Sequence, residues 1–252
     1  MQPAEVLEFF GELAKIGGFD LETAGSLSDG KRIWALAKVN DGAPVIGHDV
    51  VRPYVLLATS YDGTMATTAK MTAIRVVCNN TLTLSAGVGQ TAKAEEDTEG
   101  RAVSSLIRIP HTQKFDPEEV RRGLGIAANA FDRWLINTRI MAETEVNDEQ
   151  ADKFVFSLLS HGARKGADGK LKDVRESRAY KRIMALFNGE AIGSDLTQGK
   201  TAWALTNAVT EFVDHERGRT PDTRMSGAWF GTGDALKTKA YNAMLGACQE
   251  IA

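Results

Sequence analysis

Three residues fall at helical intervals with types that can do chemistry: Asn207, Glu211 and His215, at i, i+4 and i+8, with Asp214 beside them. A Glu and a His one turn apart on one helix face can share a divalent metal or act as an acid and base pair. The same residues can instead form a polar face that hydrogen-bonds through Asn207 and salt-bridges through Glu211. No third and fourth ligand at recognisable spacing accompanies them. Glycines at 227, 231 and 233 surround Trp229-Phe230 ahead of a C-terminal amphipathic run. A helix start of this kind can cradle a phosphate. Yet no strand precedes it and no Gly-Lys-Ser/Thr closes it, so the P-loop and dinucleotide templates fail and a packing turn with buried aromatics is the reading. Cys78 and Cys248 lie far apart without Cys/His spacing, which points to two reduced, buried thiols and to no disulfide or zinc site. With no serine elbow and no kinase-like set either, no catalytic residue, metal or cofactor is expected.

Charge offers a second chemistry. Between His161 and Arg182 stand eight Lys and Arg (Arg164, Lys165, Lys170, Lys172, Arg175, Arg178, Lys181, Arg182) against Asp168, Asp173 and Glu176, a local excess of +5 in a chain whose net charge is −3. The whole molecule is not a uniformly basic nucleic-acid binder, but a local cluster can hold a polyanion. Its centre, Gly166-Ala167-Asp168-Gly169, reads as a loop. Tyr180 lies close by, and Lys70, Arg75 and Arg108 fall on strand-like stretches. Together these residues would form a cationic groove that follows a phosphate backbone while aromatics stack on bases.

The elements that must position these groups separate along the chain. Residues 50–84 hold the densest β-branched content, and Tyr61-Asp62-Gly63 supplies a hairpin turn between two β-prone arms. The second arm, from Thr64, alternates polar and apolar positions, as expected of a sheet packed on one side only. A second Asp-Gly turn, Ser28-Asp29-Gly30, joins Leu21–Leu27 to Arg32–Val39. Asn40–Gly47 reads as a loop, Ser85–Arg101 as an acidic loop or weak helix, and Val103–Ile109 as a short strand before Pro110.

Helical spacing governs Pro3–Ile16, the stretch from Asp116 to Ile136, a helix capped at Asn147 or Asp148, a short apolar turn over Tyr180–Phe187, and the runs Thr201–Arg217 and Thr232–Ile251. Strands gather before residue 110 and helices after it. The expected class is α+β, with a β-rich platform over 1–110, preceded by a helix, and a helical region over 111–252.

An apolar fraction of 43% and a charged fraction of 25% are ordinary for a globular chain long enough to bury a core. No stretch approaches a membrane span, and MQPAEVLEFF lacks the basic start of a secretory signal, so no membrane partner and a cytoplasmic location are expected.

Thr72-Ala73-Ile74-Arg75-Val76-Val77-Cys78-Asn79-Asn80-Thr81-Leu82 resembles the signature of the phage/plasmid-like protein family. Thr23–Leu27, Val50–Tyr54, Trp203, Asn207–Arg217 and Trp229-Phe230-Gly231 resemble the same family in the same order. The resemblance implies a setting on mobile elements and no established reaction. The order of helix, antiparallel strands and helices is also loosely similar to that of strand-annealing proteins. The functional expectation is a phage or plasmid protein that binds single-stranded nucleic acid, DNA in the first place. It would act as a homo-oligomer in the host cytoplasm and anneal strands in recombination or replication. The competing expectations are a metal-dependent or small-molecule enzyme using the Asn207, Glu211, Asp214 and His215 face, and an inhibitor of host defence.

Overall fold

The structure is a computed structural model that describes residues 7, 8, 10–12, 14, 15, 18–75, 80–83, 95, 96, 102, 103, 106–109, 131–160 and 173–251. The described residues from 7 to 15 are helical (α1), and a second helix, α2, covers 131–143. The strands are β1 (Asp20–Leu27), β2 (Arg32–Lys38), β3 (Ala43–Ile46), β4 (Asp49–Ser60), β5 (Thr67–Arg75), β6 (Asn80–Thr83), β7 (Glu95–Glu96), β8 (Ala102–Val103) and β9 (Leu106–Ile109). The remaining helices are α3 (Asp148–Ser160), α4 (Arg178–Ala185), α5 (Ala202–Glu211), α6 (Pro221–Phe230) and α7 (Thr232–Ile251). The protein is α+β, with an antiparallel sheet of hairpins after a short helix and a mostly helical C-terminal half.

Among the described residues seven strands form one sheet in the order β1-β2-β4-β5-β6, with β3 also paired to β4 and β9 to β5. Both Asp-Gly stretches turn hairpins. In the first, Ser28, Asp29 and Gly30 take φ of 56°, 55° and 81°, so one residue more than the Asp-Gly pair adopts the left-handed region. In the second, the Asp62 carboxylate accepts the Thr64 N–H at 3.0 Å and the Ser60 hydroxyl accepts the Met65 N–H at 2.9 Å. These local bonds hold residues 61–66 as a loop, so the second arm starts at Thr67 and not at Thr64.

Three other expectations change. Residues 43–46, expected in a loop, pair with β4 as β3, where Pro44 is tolerated because the strand is not on the main path of the sheet. Gly42 at φ +77° makes that entry feasible, since a Cβ there would meet the Val51 carbonyl at 2.1 Å. Within the acidic stretch, Glu95 and Glu96 pair with Val103 and Ala102 as a separate two-stranded ribbon. And Trp229-Phe230 ends a helix, α6, in place of a packing turn. Thr220 caps α6 in a reciprocal box with Thr223, and Pro221 occupies its first position. The expected boundary at 110 and the helix start at Asp116-Pro117 lie outside the described residues.

The chain groups into two compact units, one of Met1–Ala43, Val51–Ile74 and Leu82–Leu135, the other of Pro44–Val50, Arg75–Thr81 and Ile136–Ala252. In the first unit Ile33, Ala35, Ala37, Val55, Leu57, Ala69, Met71 and Ala73 are buried along β2, β4 and β5. In the second, α5 is central and packs against α4 and α7. Of its residues only Ala204 escapes burial. Its polar side chains survive there by bonding back along the helix: Thr206 to the Ala202 carbonyl at 2.9 Å, Thr210 to that of Thr206 at 3.1 Å, and Asn207 to that of Trp203 at 3.0 Å. Leu205 and Val209 are fully enclosed and Phe212 is buried, as the spacing predicts.

Candidate nucleic-acid interface

Register decides which cations share a surface. On β2, Arg32, Trp34, Leu36 and Lys38 lie opposite Ser60, Ala58, Leu56 and Tyr54 of β4. Residues directly opposite point to one face, and side chains alternate along each strand, so Arg52 joins this set. The hydroxyls of Thr59 and Thr67 meet at 3.0 Å, which makes them cross-strand neighbours and sets Ala58 and Thr68 side by side on the other face. Counting by twos from Thr68 brings Lys70 to the face of Trp34. Strand β9 continues the row with Arg108 opposite Thr68 and Leu106 opposite Lys70, so position 108 is a diagonal neighbour of position 70.

Along this face exposure is confined. Leu36, Tyr54, Leu56 and Ala58 are buried, while Arg32, Trp34, Lys38, Arg52 and Lys70 are half-buried. The sheet is therefore closed at its centre on both faces, contrary to the one-sided packing expected from the alternation, because Leu36 and Leu56 interrupt the polar positions. The less buried positions of this face are four cations and one indole.

Gly25 explains the seat of that indole. It lies opposite Trp34 on β1, and a Cβ there would come within 2.7 Å of the ring. The missing side chain lets the indole lie across the neighbouring strand. Acids balance one end of the face. Lys38 pairs with Asp41 at 2.9 Å, which raises the Lys38 pKa and lowers that of Asp41. Tyr54 is pushed up to about 12, first by burial and then by its hydrogen bond with Glu22. At the other end the Asp62 carboxyl lies within reach of the Arg32 charge.

Arg75 is five residues beyond Lys70, an odd number, and turns to the opposite face. Its side chain is 3% exposed; Nε donates to Asp49 Oδ1 at 2.5 Å and a terminal nitrogen to the Gly193 carbonyl at 2.9 Å. The Trp203 indole N–H donates to the other Asp49 oxygen at 2.8 Å. This is an interior network of the second unit, not a phosphate contact.

The basic segment divides in the same way. Arg164, Lys165, Lys170 and Lys172 lie outside the described residues. Arg175 is bidentate on Asp152, at 2.9 and 2.6 Å, and its guanidinium stands 4.2 Å from the Phe156 ring centroid. Tyr180 donates its hydroxyl to the same Asp152. Hydrogen bonds from Arg175 and then Tyr180 hold the Asp152 carboxyl down to about 2. Lys181 pairs with Glu176, and Arg182 with Glu190 and Glu216. Within 173–182 three of the four cations, Arg175, Lys181 and Arg182, thus have acids of their own.

Three of the four residues of the Asn207 face, Asn207, Glu211 and Asp214, have partners within the helical unit. The Glu211 carboxylate accepts the Ile192 N–H at 3.2 Å on both oxygens, and burial raises its pKa against the opposing pull of that bond and of the His215 and Arg75 charges. Asp214 pairs with buried Lys237 at 2.7 Å. Among the described residues no three His, Cys, Asp or Glu gather closely enough to hold a metal ion.

The chain belongs to a family defined as a domain of unknown function, DUF932, whose model matches residues 1–229. No curated protein and no solved structure matches it. Among the described residues no helix is long and apolar enough to cross a membrane.

Sequence reasoning named Lys70 and Arg108 but missed Arg32, Trp34 and Arg52 as their companions. The signal was present only as strand pairing: Trp34 joins Lys70 once β2, β4 and β5 are aligned, and neither strand alone contains that information.

Proposed function

We propose that this protein binds single-stranded nucleic acid, DNA in the first place, with little sequence preference, through the sheet face of the first unit. The reading extends to a phage or plasmid protein that anneals strands during recombination or replication, as a homo-oligomer in the cytoplasm of the host bacterium. The observation that carries it is the grouping of half-buried Trp34 with Arg32 and Lys70 on one face. Cations hold a phosphate backbone without reading sequence, and an indole stacks on any base. The loop cations Arg164, Lys165, Lys170 and Lys172 form a second set whose contribution is separable.

Fluorescence anisotropy of a labelled oligonucleotide over a salt series tests this. Each lost phosphate contact lowers the log-log slope by about 0.7, so Arg32→Ala and Lys70→Ala each flatten the plot by that amount. Trp34→Ala weakens binding by about 1–3 kcal/mol at every salt concentration, the worth of one stacked base. The quadruple loop variant weakens all sequences alike. Absence of binding at low salt, or unchanged affinity and slope in the sheet variants, sinks the proposal. Electron microscopy of the complex checks the annealing part, which requires rings or filaments.

A further inference from the structure

Apart from the sheet, the helical unit contains a cleft of about 430 Å³ whose chemistry is mixed in a definite way. Its apolar wall comes from Leu158 at the end of α3, Phe212 just past α5, and Leu236 of α7. Its polar side carries Arg217, Thr232 and Lys239. Arg217 donates to the Thr232 carbonyl at 3.3 Å and to its hydroxyl at 3.1 Å, which fixes the guanidinium against the start of α7. Lys239, two turns further along that helix, is exposed.

Several other cations of the unit are neutralised by acids: Arg75, Lys237, Arg175, Lys181 and Arg182 each meet a carboxylate. Among the described residues Arg217 and Lys239 meet none. What sets them apart from Arg139, Arg178, Arg219 and Arg224, which pair with no acid among the described residues either, is that they line the cleft. Two cations without acids beside an apolar wall form a complement to a particular kind of molecule. We infer that this cleft binds a small amphiphilic anion, with an apolar body against Leu158, Phe212 and Leu236 and a carboxylate or phosphate head between Arg217 and Lys239.

The physical reasons are separable. The apolar wall gains by excluding water along the body of the ligand. The head replaces the missing acids, and Arg217, already held by Thr232, has further N–H groups to offer it. The size lies in the range of about 300–1,000 Å³ usual for small-molecule sites, which favours a single compact ligand over a polymer. The site is distinct from the sheet face and depends on none of its residues.

Isothermal titration of the full chain with decanoate, decyl phosphate and decanol, each below its micellar concentration, tests the inference. Saturable binding of one molecule per chain is expected for at least one of the two anions, with decanol at least about ten-fold weaker, a difference of about 1.4 kcal/mol. The tighter of the two heads tells whether the source is an acyl carboxylate or a phosphate ester. Lys239→Gln, at an exposed position, should weaken the anion about ten-fold and leave decanol unchanged. Leu236→Trp should fill the cleft and remove binding of all three, with a thermal melt as the folding control. Failure of both anions to saturate, decanol binding as tightly as they do, or no effect of Lys239→Gln overturns the inference. Lys239→Gln alone decides the matter if Leu236→Trp fails to fold.

Discussion

Arg75 and Lys70 belong to one strand, yet one is the cation of an interior network and the other stands half-buried on the opposite face. Arg75 satisfies Asp49, which in turn satisfies Trp203; Lys70 shares its face with Arg32, Arg52 and an indole. The difference teaches that a cation's surroundings here follow from its parity along the strand, which sets the face it joins. A charge taken out of water has to be paired in place, as Arg75 is by Asp49.

The largest effect separating the two regions is in stability. Asp49→Ala leaves the Arg75 guanidinium buried without its carboxylate and the Trp203 N–H without an acceptor, and should cost about 3–5 kcal/mol in urea unfolding. Lys70→Ala should leave the unfolding midpoint nearly unchanged and act on nucleic-acid affinity. If the two variants destabilise alike, the contrast is gone.

A second, smaller effect concerns the indole. Gly25→Ala forces the Trp34 ring to move by crowding it at 2.7 Å, so it should change the protein's tryptophan emission and weaken oligonucleotide binding, with little change in melting. Unaltered emission together with unaltered affinity would show that the seat of the ring is irrelevant to binding.

The smallest expected effects are in pH dependence, and they have opposite signs. Folding raises the Glu211 pKa, so its favourable contribution is complete below the unfolded range, about 4.3, and is lost as pH rises through the raised value. Relative to wild type, Glu211→Gln should therefore gain stability as pH rises above the unfolded carboxyl range of about 4.3. Folding lowers Asp152 to about 2, so its contribution is present above the unfolded carboxyl range and is lost as pH falls toward that value. Asp152→Asn should lose its disadvantage in acid. Unfolding curves across pH read both, and slopes of the same sign would contradict one assignment.

Much of the scaffold was legible because its signals are local. Asp29-Gly30 and Asp62-Gly63 announce turns by backbone conformation alone, and Leu205, Val209 and Phe212 announce a buried helix stripe by spacing. The α6 helix was legible too, since Thr220-Pro221-Asp222 is a cap, a first-position proline and an acidic first turn; the nearby glycines drew the reading away. The site was less accessible. Asp49 and Arg75 are 26 residues apart and Asp49 and Trp203 are 154 apart, so nothing local couples them. Helical arithmetic did put Asn207 and Glu211 together, but could not foresee that the Trp203 carbonyl and the Ile192 N–H would consume them.

Strand β1 ends the described path of the sheet, and its first five residues are exposed. Such a border has a row of backbone groups able to recruit a strand from another chain. Two features discourage that. The pairing slips between Leu21 and Thr23, where Glu22 is the extra residue, and Asp20 just before it adds a second negative charge. An irregular, acidic margin repels a second copy of itself, so copies of this protein that assemble should meet through some other surface, and the concentrated protein is protected from growing sheet upon sheet.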